Sequence, residues 1–394
     1  MNRSLVVRGA FAAALAAAAI AMPPGRARAD GDSPTPAFRR PVVAKPIDLV
    51  LCLDTSGSME GLINAARTKL WEVVNLMARA KPAPSLRVAL LTYGSPGDDA
   101  AGHVILQTGF TKDLDLVSEK LFALGTNGGD EYVGRVVKTA VDRLEWGGVE
   151  ALKILFVAGN ESADQDKATP FRDVVRHASG LGVRVNSIYC GNPDDPDAKD
   201  WREVATLGLG RFATIEKDTG TVVIVTPYDK ELLDLSGRIN TTYVGYGRKA
   251  KESLERQSHE DGNAAAAPAA GAARAESKAG GLYDNSSWDL IDRMAQKDFD
   301  LAKVATEDLP EEMRKMSLDE KKAFLEKKKV ERAEIQKQIQ DLSAKRGQFV
   351  REEMAKTGLD DKKALDRAIR DAVREQGADK GFTFEDPAAP APVK

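Results

Sequence analysis

Asp54, Ser56 and Ser58 are the residues of this chain whose types and spacing best suit chemistry. They alternate in Asp54-Thr55-Ser56-Gly57-Ser58, directly after the apolar run Leu49 to Leu53. One carboxylate and two hydroxyls on one short turn offer hard oxygen donors, the type that Mg²⁺ or Mn²⁺ selects. Ser56 or Ser58 could instead serve as the N-cap of the helix that follows, its side-chain oxygen accepting from a free backbone N–H.

Such a turn needs a scaffold to hold it. An unbroken apolar run reads as a strand buried on both faces, as in a parallel sheet covered by helices. Further strands are expected at Leu86 to Tyr93, His103 to Phe110 (an edge), Ala151 to Ala158, Val183 to Tyr189 and Arg211 to Ile215. Helical spacing separates them, for example Ile63, Ala66, Leu70, Val73, Val74 and Met77. Alternating strands and helices imply right-handed crossovers and a doubly wound, mostly parallel six-stranded α/β sheet of order 3-2-1-4-5-6 over residues 46–247. Open sheets of this kind hold ligands at the carboxyl ends of their strands, where Asp54 falls.

An Asp-x-Ser-x-Ser turn with a buried strand before it and a helix behind it resembles the first loop of von Willebrand factor type A domains. There it belongs to the metal-ion-dependent adhesion site. The resemblance covers the strand-and-helix half of the chain and implies a Rossmann-like fold and a divalent cation. It also implies a partner protein whose acidic side chain completes the cation's shell. The family's second loop places a Thr or Asp after a glycine pair, which here points to Asp130 after Gly128-Gly129. Asp130 also suits a plain helix N-cap. The family's third loop usually reads Thr-Asp-Gly, whereas this chain has Ala158-Gly159-Asn160-Glu161. Gly159 stands where the aspartate is expected, Asn160 offers a neutral carbonyl, and Glu161 or Asp164 could act through a water. One carboxylate fewer implies a weak hold on Mg²⁺ or Mn²⁺, because ligand charge helps set affinity.

Composition narrows the function classes. Net charge is −3 with 30% charged residues, so no basic surface for nucleic acid is implied. Residues 1–29 read as a secretory signal peptide: Arg3 and Arg8, then the apolar stretch Ala10 to Met22, then Ala27-Arg28-Ala29 as a cleavage site. The stretch is too short for a comfortable membrane span, and no later segment qualifies. Export to a bacterial periplasm or the medium is expected, with residues 30–45 as an extended leader. Cys52 and Cys190 lie on strands with another between them, about 10 Å apart, so two thiols are expected rather than a bridge. No P-loop, dinucleotide fingerprint, zinc spacing or G-x-S-x-G elbow occurs, and an enzyme is not expected.

The remainder divides by composition. Residues 248–282 turn to Ala, Gly, Pro and Ser and read as a flexible linker. Residues 283–376 read as helical. Ser317-Leu-Asp-Glu320 matches a capping box for a long helix to about Lys356. Its apolar positions Leu325, Ile335, Ile339, Leu342 and Phe349 fit a seam that Arg332 and Arg346 interrupt. That leaves either a coiled coil over 317–356 or a helix folded against its neighbours. Leu365, Ile369 and Val373 mark a last amphipathic helix, and 377–394 reads as a disordered tail. The wording around Trp288-Asp-Leu and Asp308-Leu-Pro-Glu-Glu-Met-Arg-Lys-Met resembles a group of uncharacterised bacterial secreted type A proteins.

The sequence therefore favours an exported, non-enzymatic binding protein with a cation held by Asp54, Ser56, Ser58, Asp130, Asn160 and Glu161. A metal-independent envelope scaffold, acting or oligomerising through the helical tail, is the alternative. A serine hydrolase built on Ser56 is a remote third.

Overall fold

The computed structural model describes residues 44–95, 103–215, 223–358 and 365–384. Residues 1–29, expected as a signal peptide, and nearly all of the expected leader lie outside the described residues, as do residues 385–394. Strand β1 (Lys45–Asp54) runs through the centre of the sheet. Its side chains alternate between two cores: Leu49, Leu51 and Leu53 in one, Val50 and Cys52 in the other. Double burial of this kind is what the unbroken apolar run requires.

Strand β2 (Pro84–Tyr93) pairs in parallel along one side of β1, in register from Lys45–Pro84 to Asp54–Tyr93. Strand β4 (Leu152–Gly159) pairs in parallel on the other side, from Ile47–Leu152 to Leu53–Ala158. Strand β3 (Val104–Thr111) closes one edge antiparallel to β2. Strands β5 (Val183–Cys190) and β6 (Leu209–Ile215) continue in parallel to the other edge. The order is 3-2-1-4-5-6, as the sequence implied. Cys52 and Cys190 are buried thiols with β4 between their strands.

Helices α3 (Val133–Arg143), α4 (Phe171–Gly180) and α5 (Ala198–Leu207) cover the face that Val50 and Cys52 enter. On the other face lie α1 (Glu60–Ala78), α2 (Leu114–Ala123) and α6 (Asp229–Asn240). There the C-terminal half of the chain joins the core rather than following it on a tether.

Residues 248–282 are not a flexible linker. They form α7 (Ala250–Ala265) and α8 (Pro268–Lys278). Alanine is the best helix former, and Pro268 opens α8 at its first turn. The small side chains of Ala269, Ala272, Ala273 and Ala275 are buried, and α8 lies against α1 and α6. Arg274 is buried between α2 and α7, with its Nη1 2.6 Å from Asp115 Oδ1 and its Nε 2.6 Å from Asp261 Oδ1. Lys278 Nζ donates to the Ser236 carbonyl at 2.8 Å and to Asn240 Oδ1 at 2.6 Å.

The capping box at Ser317 and Glu320 is present and starts α10 (Leu318–Thr357). This helix does not present a coiled-coil seam. Its buried Leu325, Ile335, Ile339 and Leu342 face the same chain, and it lies against α6, α8 and the short α9 (Leu290–Met294). Both arginines that interrupt the seam are anchors. Arg332 donates to Asp289 Oδ2 at 2.8 Å, Asp292 Oδ1 at 2.9 Å and the Thr242 carbonyl at 2.9 Å, with its guanidinium 4.0 Å from the centre of the Tyr243 ring. Arg346 Nε donates to Asp229 Oδ1 at 2.8 Å, at the start of α6.

Helix α11 (Leu365–Asp379) lies beside α1 across β4, β5 and β6, with Leu365, Ile369 and Val373 buried. Of the tail expected to be disordered from residue 377, residues 377–384 are ordered into the fold. Phe382 is buried, and Thr383–Phe384 pair with Ala80–Lys81 in a two-stranded ribbon. Residues Val43–Lys394 form one compact unit.

Removing Arg332 would leave Asp289 buried and unpaired. Arg332→Ala is expected to lower unfolding free energy by about 3–5 kcal/mol in urea denaturation. Val330→Ser, on the exposed side of the same helix, should change it by no more than about 0.5 kcal/mol. Equal effects would mean that α10 is not docked through this pair.

Candidate functional site

The β1–α1 turn lies at the carboxyl edge of the sheet. Asp54 is fully buried and Ser56 nearly so. Ser56 N–H donates to Asp54 Oδ1 at 2.7 Å, which fixes the carboxylate and leaves Oδ2 free. The turn is tied to its neighbours through Thr55. Thr55 N–H and Oγ1 both donate to the Tyr93 carbonyl at 2.8 and 2.9 Å, and Asn127 N–H donates to the Thr55 carbonyl at 2.9 Å. Gly94 follows β2 with φ +81°, and a Cβ there would lie 2.4 Å from Asp54 Oδ1. Only glycine permits this approach.

Neither serine caps α1. Met59 holds the N-cap position with no side-chain hydrogen bond. Ser58 Oγ instead donates to Asn160 Oδ1 at 3.3 Å, bringing the first and third loops together. Glu161 is exposed, yet its charge is felt at Asp54. Asp164 is engaged by Lys167 and Arg172, both at 3.1 Å.

Asp130 is the correction. It is exposed and accepts from the Tyr132 hydroxyl at 2.8 Å. It caps nothing: α3 begins after Tyr132 without a side-chain cap. The adjacent Glu131 turns inward instead. Glu131 is 2% exposed, and its carboxyl is close enough to Asp54 and Ser56 to interact electrostatically with both. Glu131 N–H donates to Gln165 Oε1 at 3.1 Å, and Gln165 Nε2 donates to Glu161 Oε2 at 2.8 Å. Gln165 thus couples the second and third loops.

The aspartate missing at Gly159 also has a physical reason. A Cβ at Gly159 would lie 2.6 Å from the Tyr93 hydroxyl and 3.1 Å from the Trp201 ring. Tyr93 donates to the Ala158 carbonyl at 2.9 Å, and Trp201 Nε1 donates to the Glu161 carbonyl at 2.7 Å, so both rings are fixed. The second carboxyl beside Asp54 is that of Glu131, from the loop before α3.

Three oxygens here are buried without a hydrogen-bond partner: Asp54 Oδ2, Ser56 Oγ and Glu131 Oε2. Buried polar atoms are rarely left so, and two facing carboxyls are rarer still. Among the described residues no group of three or more His, Cys, Asp or Glu is placed to hold a metal ion. The donor set is two carboxylates supplemented by hydroxyl and amide oxygens, a hard all-oxygen set. Burial pushes the Asp54 carboxyl up to about 6, with Glu131 and the Ser56 N–H acting against that rise. Burial and then the Asp54 charge push Glu131 up to about 9. The two carboxyls titrate as a coupled pair rather than independently.

No protein-family model and no curated protein matches the chain. Solved structures similar to it include an aerotolerance-related membrane protein from Bacteroides fragilis, 14% identical over 44% of this chain and 94% of that one, TM-score 0.33. A von Willebrand factor type A protein from Catenulispora acidiphila is 16% identical over 44% of this chain and 39% of that one, TM-score 0.35. Proximal thread matrix protein 1 from the mussel byssus, solved with a zinc-occupied adhesion motif, is 14% identical over 45% of this chain and 43% of that one, TM-score 0.36. The overlap spans less than half of the latter two. The sheet order and its antiparallel edge make the α/β body doubly wound and Rossmann-like, the architecture that the sequence implied.

Two measurements probe this site. Both carboxyls have folded-state pKa values raised above their unfolded ones. Their contribution to stability is therefore full in acid and lost as pH rises from about 4 through 9. In chelator, Glu131→Gln should gain stability relative to wild type across that range, read as a growing difference in urea midpoint. A difference that stays flat with pH would disprove the facing pair. Gly159→Asp should destabilise by about 1–3 kcal/mol through overpacking against Tyr93 and Trp201, read as a lower melting temperature.

Proposed function

We propose that this is an exported, non-enzymatic binding protein that holds a divalent cation, Mg²⁺ or Mn²⁺, at the Asp54 turn and engages the acidic side chain of a partner protein there. The observation that carries this reading is the convergence of three buried oxygens without partners, two of them on carboxyls. Asp54 and Glu131 would hold the ion with Ser56. Ser58 and Asn160 stand at the open rim, and Glu161 adds negative charge nearby. When bound, the ion supplies a positive centre that a carboxylate from another chain can complete.

The chain's own groups prepare for this. Ser56 N–H fixes one oxygen of Asp54 and leaves the other free. Gln165 holds the Glu131 backbone while tethering Glu161. Glu131 restores the carboxylate that Gly159 cannot carry, so the negative charge expected of the site is kept by another residue.

The C-terminal helices brace the body in this reading. Their apolar stripes are consumed within the chain, which weighs against assembly through a coiled coil. Export rests on the residues 1–29 pattern alone.

Calorimetric titration of wild type with Mg²⁺ and Mn²⁺ should give binding heat that Asp54→Ala abolishes. Glu131→Gln should weaken binding by about tenfold or more, because carboxylate number sets affinity, whereas Asp130→Asn should leave it within about twofold. Loss with Asp130→Asn and not with Glu131→Gln would refute the assignment. No heat in wild type would refute the cation site altogether.

A further inference from the structure

We propose that the amino edge of the sheet, opposite the Asp54 site, docks on an anionic phospholipid surface through Val149, Leu181 and Leu209. These three are among the few large apolar residues exposed in the described structure, at 83%, 50% and 59%. Single exposed apolar side chains are ordinary and need no explanation. Their placement is not ordinary. Val149 precedes β4, Leu181 precedes β5, and Leu209 opens β6, three adjacent parallel strands.

A cation accompanies each of them. Lys380 Nζ donates to the Val149 carbonyl at 2.8 Å, Lys153 Nζ to the Leu181 carbonyl at 3.4 Å, and Arg184 Nη1 to the Leu209 carbonyl at 3.4 Å. Lys45 Nζ donates to the Lys380 carbonyl at 2.8 Å. Glu150 and Asp379 are the acidic neighbours in sequence, and Asp379 is engaged by Arg184 at 3.3 Å. Apolar tips interleaved with long cationic side chains match a lipid interface. The tips enter the headgroup boundary while ammonium and guanidinium groups reach phosphate oxygens.

Two further observations select lipid as the occupant. The charge is polarised: the opposite edge exposes Asp130, Glu161 and Asp194. An anionic surface is thus attracted to one edge and repelled from the other. The chain also enters the structure at this edge, at the start of β1. The segment expected to remain upstream, residues 30–43, carries Arg39 and Arg40 nearest that point in sequence, with Asp30 and Asp32 further away. Docking this way turns the Asp54 site outward, away from the bilayer, but does not depend on a cation there.

The test uses the full chain labelled with an environment-sensitive fluorophore at Val149→Cys or, as the control on the opposite edge, at Asp194→Cys. The native Cys52 and Cys190 are buried. Vesicles of phosphatidylcholine with phosphatidylglycerol should shift the emission of the Val149 label to the blue and leave the Asp194 label unchanged. Pure phosphatidylcholine, or high salt, should suppress the shift. Adding Lys153→Gln and Lys380→Gln should weaken vesicle affinity by about tenfold or more, with the melting temperature monitored to confirm folding. No shift at Val149, or equal shifts at both labels, would overturn the proposal. So would retention by an acidic polypeptide while vesicles stay unbound, which would assign the edge to a protein partner.

Discussion

Burying β1 on both faces obliges the chain to cover both faces of the sheet, and the molecule's plan follows from that demand. One face is covered by α3, α4 and α5, the crossover helices between successive strands. The other needs more than α1 and α6. Helix α11, from the far end of the chain, lies across β4, β5 and β6, while α8 and α10 close over α1 and α6. The C-terminal half is thus part of the scaffold that holds the Asp54 turn, not an appendage to it.

That closure is made with buried charge as well as apolar area. Arg274 joins Asp115 and Asp261 over the face of Trp71, at 4.6 Å from the ring centre. Arg332 joins Asp289 and Asp292. Buried ion pairs give little net stability compared with apolar packing, because desolvation offsets attraction. Breaking one is costly, however, so they select one arrangement of helices over near alternatives. Interior pairs of this kind fit a body assembled from segments far apart in sequence.

At the carboxyl edge the same economy of space governs the site. Tyr93 and Trp201 fill the volume that a side chain at Gly159 would need. The second carboxylate is brought from the α2–α3 loop by Glu131, at the cost of two acids facing one another in a dry setting. Such an arrangement is unfavourable alone and would be relieved by a cation between the oxygens, which is why the proposed binding is placed there.

The sequence by itself determined the strands, their order and the place of the Asp54 turn. Apolar runs of strand length bounded by turns leave little choice of pairing once crossovers are right-handed. The Ser317 capping box was equally legible, because a cap is a local hydrogen-bond pattern. What only the tertiary structure decided was orientation and context. Asp130 and Glu131 are adjacent acids after a glycine pair, and nothing local says which turns inward; the hydrogen bond from Glu131 N–H to Gln165, 34 positions on, goes with the inward one. Alanine-rich residues 250–278 read as a linker because their helices draw stability from α1 and α6 rather than from their own pattern. Arg332 read as a flaw in a seam because its partners, Asp289 and Asp292, lie 43 and 40 residues away. Local periodicity can fix an element, but a charge is placed by what the fold brings to meet it.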